Sequence, residues 1–139
     1  MNKSLLDTDI LSEILKGINP TVARNAAAYR QAFGRYTLSS VTVMEVISGL
    51  QRNQSIRRIQ KFLTDISAEE VLSFGPADGK LAGEIDGDLE RVGRPIGRCD
   101  PMIAAVAIKN GLELATGNTA HYQRIQQLGY SITLVNWRI

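Results

Sequence analysis

The chain has 139 residues, a formal net charge of +2, 44% hydrophobic residues and 22% charged residues. That length fits a single domain over residues 1–139 with a core large enough to stand without staples, and the composition excludes a disordered chain. A lone cysteine, Cys99, excludes an internal disulfide, no window approaches a membrane span, and the small net charge carries no bulk polyanion signal; a cytoplasmic protein is expected.

Ser4-Leu5-Leu6 reads as a short buried strand. Asp7 or Thr8 is placed to cap a helix running to about Lys16, where Gly17 stops it. Asn19-Pro20 opens an alanine-rich second helix to about Ala32, broken by Gly34. Tyr36–Ser40 is β-prone, and Ser40 or Thr42 is expected to cap the next helix, whose apolar face is Val43, Val46, Ile47 and Leu50. Ile56, Ile59 and Leu63 mark another helix with Arg57, Arg58 and Lys61 outside.

Glu70–Phe74 is a predicted strand, and Pro76 begins a helix to about Val92 with Leu81, Ile85 and Leu89 at helical spacing. Gly93–Arg98 is a loop. Pro101–Lys109 is helical and apolar on every side, so it is expected to be buried. Leu112–Thr116 is a strand, Asn118 caps a helix to about Leu128, and Ser131–Val135 is the last strand. Strands alternating with helices imply an α/β fold with a mostly parallel sheet.

Three acids stand out: Asp7, Glu45 and Asp100. Each is expected where a strand gives way to a helix, or in that helix's first turn. Strand ends of an open parallel sheet collect at one crevice, where ligands bind. Two carboxylates about 4 Å apart repel by roughly 4 kcal/mol at an effective dielectric of 20. Three gathered together require a counter-charge, and hard oxygen donors suit Mg2+ or Mn2+. Each acid also has a plainer explanation. Asp7 and Asp100 are good helix-start residues, and Glu45 lies opposite Val43, Ile47 and Leu50 on a face open to water. Cys99 reads as a buried thiol and Trp137 as packing.

The stretches Leu6-Asp7-Thr8-Asp9-Ile10, Ser39-Ser40-Val41-Thr42-Val43-Met44-Glu45, Gly93-Arg94-Pro95-Ile96 followed by Asp100-Pro101-Met102-Ile103-Ala104-Ala105, and Ala115-Thr116-Gly117-Asn118 resemble, in that order, a PIN-domain nuclease of the VapC type, the toxin of a bacterial toxin–antitoxin pair. The resemblance spans nearly the whole chain. It implies an α/β/α sandwich with a mostly parallel central sheet, a Mg2+- or Mn2+-dependent endoribonuclease, and a homodimer. It also implies an antitoxin whose C-terminal segment covers the active site.

Carried onto this sequence, it makes Asp7, Glu45 and Asp100 metal ligands. His121 stands where the family often has a further acid, and becomes a candidate for catalysis, metal ligation or phosphate contact. Thr8, Ser40, Thr116 and Asn118 would orient ligands or water. Arg94, Arg98 and Arg52 are candidate RNA contacts, since phosphate binding needs cations near the acids. A structured RNA such as a tRNA fits recognition of single-stranded loops.

Three rivals stand beside this, one of them a receiver-like signalling domain built on acids at strand ends, which lacks a lysine at the end of the last strand. A haloacid-dehalogenase-like phosphatase would use Asp7 of Asp7-Thr8-Asp9 as nucleophile, but only Lys109 and Glu113 follow Asp100 and no late acidic pair exists. A PIN-like module that binds RNA or a partner and cleaves weakly would explain His121.

Overall fold

The computed structural model describes residues 1–139. Its elements are β1 (Ser4–Leu6), α1 (Thr8–Lys16), α2 (Pro20–Phe33), β2 (Thr37–Ser39), α3 (Ser40–Arg52), α4 (Ile56–Ile66), β3 (Glu70–Leu72), α5 (Pro76–Arg91), α6 (Cys99–Lys109), β4 (Glu113–Ala115), α7 (Thr119–Gln127) and β5 (Leu134–Val135). The helix ends follow from local chemistry. The Asp7 carboxylate accepts from Thr8 N, and Gly17 closes α1 at φ +67°, a left-handed conformation that costs glycine least. The Asn19 side chain accepts from Thr21 N and Val22 N, with Pro20 at the first helical position of α2.

β1, β4 and β5 pair in that order and β2 pairs with β3, every pairing parallel. β2 lies alongside β1, and the Tyr29 hydroxyl joins them, 3.3 Å from Ser4 N and 2.9 Å from Thr37 Oγ1. Successive residues of a strand point to opposite faces, and the core divides accordingly. Leu5 and Leu114 pack with Ile85, Leu89, Ile103 and Ile125 from α5, α6 and α7. Leu6, Leu38 and Ala115 pack with Ile10, Val22, Tyr29 and Phe62 from α1, α2 and α4. Helices therefore cover both faces of the strands, the expected α/β/α sandwich. No helix is long and apolar enough to cross a membrane.

Several expectations are corrected. Ser39 caps α3, its hydroxyl accepting from Thr42 N, while Ser40 Oγ accepts from Phe74 N. β3 ends at Leu72 because its partner β2 ends at Ser39, where α3 takes over. β5 starts late because the Ile132 amide bonds Tyr130 O and its carbonyl accepts from the Gln126 side chain. α6 begins at Cys99, two residues ahead of Pro101, and follows a loop rather than a strand. Asp100 thus enters the crevice from a helix start alone. Glu45 lies in the second turn of α3, not the first. Cys99 is half-buried rather than buried. Trp137 is packing, 1% exposed, its ring centroid 5.6 Å from that of Tyr29.

Candidate active site

The end of β1 delivers Asp7 into the interior, where it is 2% exposed. Its Oδ1 accepts from Thr8 N at 2.8 Å and its Oδ2 from the Thr116 hydroxyl at 2.8 Å. Thr116 ends β4, and Asp7 N bonds Ala115 O at 2.9 Å. The parallel register of β1 on β4 therefore sets the Asp7–Thr116 contact. Thr8, the first residue of α1, donates to Glu45 Oε1 at 2.6 Å and lies 3.0 Å from Thr42 Oγ1. Thr8 ties Glu45 to the helix that Asp7 caps. Thr42 takes the supporting place expected of Ser40, which is turned away to Phe74.

Asp100 approaches from α6. His121 Nδ1 is 3.6 Å from its Oδ2, with the His121 side chain 48% exposed. The Cys99 thiol reaches toward Glu45, and burial and the Glu45 and Asp100 charges push it up. Burial also pushes the Asp100 carboxyl up, with Tyr122 and His121 pulling the other way. For Asp7, burial comes first, then the Asp9 charge; with Asp100 they raise it to about 7 against the Thr116 and Thr8 hydrogen bonds. The Tyr122 hydroxyl lies beside both Asp7 and Asp100, fully buried and without a well-formed hydrogen bond. Asn118 heads α7 without using its side chain: its N donates to Thr116 Oγ1 at 3.0 Å, and its carbonyl accepts from His121 N and Tyr122 N.

Sequence reasoning missed Asp9. Gly117 N donates to its Oδ2 at 2.8 Å, Arg138 Nη2 is 3.4 Å away, and Oδ1 is buried without a partner. Burial raises its carboxyl, opposed by Gly117 and Arg138. Asp9 lies two residues after Asp7, in the first turn of α1, which is the one signal that marked it. Gly117 admits this arrangement because it has no side chain. A Cβ there would sit 2.3 Å from Arg138 Nη1 and 2.8 Å from Asp9 Oδ2. Gly117→Ala is therefore expected to displace the flexible end of Arg138 and cost about 1 kcal/mol, the low end of the overpacking range, read as a lower melting temperature. Removing the clash with Arg138→Ala in the same chain should return part of that loss.

The donors are carboxylate oxygens, which match a hard divalent cation. A buried Asp7 raised to about 7 by neighbouring acids is a charge that a cation would relieve. No three acid, histidine or cysteine side chains are arranged to hold an ion as they stand. The reason is local: both Asp7 oxygens are engaged by Thr8 and Thr116, and Glu45 is bonded to Thr8. The residues fit a cation in chemistry and would complete its shell by rotating Asp7 and Glu45 off these partners.

From Glu45 a groove of about 640 Å3 opens between α1, α3 and α4. Its lining includes Leu15, Lys16, Arg52 and Arg58. Arg52, a candidate RNA contact, lines this groove. Arg94 donates to Gln127 Oε1 at 2.7 Å and none of its hydrogen bonds reaches the acids, while Arg98 is exposed just before Cys99.

The PIN domain matches residues 4–126 of the chain. The tRNA(fMet)-specific endonuclease VapC of Shigella flexneri is 36% identical over 129 residues, covering 90% of this chain and 93% of that protein. Among solved structures, DNA-bound VapBC from Salmonella typhimurium is similar at TM-score 0.81 and 29% identity, covering 99% of each chain. VapBC-1 from nontypeable Haemophilus influenzae is similar at TM-score 0.76 and 27% identity, covering 98% of each.

Proposed function

Because the chain belongs to the PIN-domain family, in its VapC branch, we propose that it is a Mg2+- or Mn2+-dependent endoribonuclease. It acts as the toxin of a toxin–antitoxin pair, in the cytoplasm. The observation that carries the reading is the desolvated Asp7, held by Thr116 and coupled to Asp9 and Asp100, with Glu45 tied to the same helix start by Thr8. Four acids facing one crevice are unfavourable unless a cation joins them. Asp7, Glu45 and Asp100 would hold it.

A bound divalent ion lowers the pKa of a coordinated water and offsets phosphate charge. The residues supply the rest. Thr8 and Thr116 hold Glu45 and Asp7 at the crevice, ready to turn toward a cation, and burial of Asp7 limits competing water. Asp100, partly exposed beside His121, is placed to accept a proton at its carboxylate. His121 contacts the scissile phosphate or leaving group from the open side.

RNA enters along the groove, where Lys16, Arg52 and Arg58 meet phosphates. The substrate class is structured RNA with an accessible loop, tRNA first, as for the Shigella relative. The antitoxin covers the same mouth, and exposed Leu15 and Ile18 supply apolar surface for it or for a second copy in a homodimer. A binding module that cleaves weakly remains a second reading, favoured by the absence of a ready-made chelating triad.

The test incubates the purified chain with total tRNA and Mn2+. Cleavage abolished by EDTA and by Glu45→Gln is the expected result. Intact tRNA under Mn2+, with binding retained, would hand the case to the second reading.

A further inference from the structure

Tyr122 is fully buried. Its ring packs within the cluster that holds Leu5, Ile103 and Leu114. Its amide is tied to Asn118 O in the first turn of α7, so the ring is anchored from both ends. Its hydroxyl has no hydrogen bond of proper geometry. Such a group is costly to bury, and in native proteins it ordinarily finds a partner. This one faces the Asp7 and Asp100 carboxylates.

The two acids are not equivalent partners. Both Asp7 oxygens already accept, from Thr8 N and the Thr116 hydroxyl. Asp100 has only His121 Nδ1, at 3.6 Å and from the solvent side. A carboxylate offers about four acceptor positions; Asp7 has two of them filled by short bonds and Asp100 meets only the long His121 contact, so Asp100 is the more open acceptor beside Tyr122. A phenol carries one proton to donate and two lone pairs to accept with. A donor on the core side and an imidazole on the solvent side, contributed by consecutive residues of one helix, leave Asp100 little freedom to turn.

We propose that Tyr122 is a positioning residue of the acid site, its hydroxyl donating to Asp100 and setting how that carboxylate meets a divalent cation. This rests on the reading of Asp100 as a cation ligand. Partners of this kind orient ligands, and their loss weakens metal binding by about 10- to 100-fold. The role is separable from packing, because phenylalanine keeps the ring and removes only an oxygen that has no hydrogen bond of proper geometry.

The test measures Mn2+ binding to the full chain by calorimetry, without RNA, for wild type and Tyr122→Phe. We expect affinity about tenfold weaker, a melting temperature in EDTA no lower than wild type, and with tRNA a reduced kcat at unchanged KM. In a second measurement, 3-fluorotyrosine at position 122 should shift its 19F resonance when Mg2+ saturates the chain. Mn2+ affinity within twofold of wild type, or a 19F resonance indifferent to Mg2+, overturns the proposal. Wild type that binds Mn2+ while Tyr122→Phe makes no difference sinks this inference alone. Wild type that binds no Mn2+ sinks the metal reading and this inference with it.

Discussion

Asp7→Asn is expected to abolish RNA cleavage and, in EDTA at pH 8, to raise the melting temperature. The two effects share one cause. The carboxylate is 2% exposed and its carboxyl is raised from 3.8 to about 7, chiefly by burial and then by Asp9. Holding it ionised at pH 8 costs the folded state on the order of 4 kcal/mol. Asparagine keeps the acceptor that caps α1 and removes the charge. Cleavage should fall by about a thousandfold or more, the scale on which removing one preorganised electrostatic group from an active site acts. A variant that melts no higher than wild type in EDTA at pH 8 would show that Asp7 carries no such penalty. A variant that still cleaves would remove it from the metal site.

The wild-type protein in EDTA is expected to lose stability as pH rises from about 4 to about 7. In that window the folded state retains a proton on Asp7 that the unfolded chain has released, so a higher pH favours unfolding. Above about 7 both states are ionised at this group and its contribution is flat. Asp9 and Asp100 are raised in the same direction and deepen the trend. Glu70 works oppositely, since Lys3 lowers its carboxyl; that stability disappears only as the medium becomes more acidic than the ordinary glutamate range. Mn2+ at 100 times its dissociation constant should restore about 2.7 kcal/mol at pH 8. Melting temperatures across pH 4–8, with EDTA and then with Mn2+, check both parts. A curve that rises from pH 4 to 7 in EDTA would refute the desolvated acid cluster.

Most of the fold was legible because each element carried its own punctuation. Gly17, Gly34, Pro20 and Pro76 mark boundaries by backbone geometry alone, and the unbroken apolar run of α6 announces burial. The strands were overextended. Their ends are set elsewhere, by β2 giving way to α3 at Ser40 and by Gln126 on Ile132, which local propensity does not encode. In the site, Asp7 and Thr116 were readable because β1–β4 register joins two strand ends. Asp9, Thr42 and Arg138 were not, because their roles depend on which side chain faces which across the crevice. Nothing in the sequence singled out Tyr122; that its oxygen lies beside two acids is a property of the packed helix.

α6 has one consequence for how this molecule adapts. From Ile103 to Ala107 its residues have no exposed surface, and three of these, Ala104, Ala105 and Ala107, are small residues that allow close contact with neighbouring elements. A rod seated this tightly neither rolls nor slides without overlapping atoms. In the proposed cation site Asp100 would thus be the fixed jaw of a clamp, and accommodation of different ions or strands would fall to the rotamers of Asp7 and Glu45 opposite. Enlarging Ala105 to leucine would shift the jaw itself, and would change which cation radius the clamp prefers without replacing any acid.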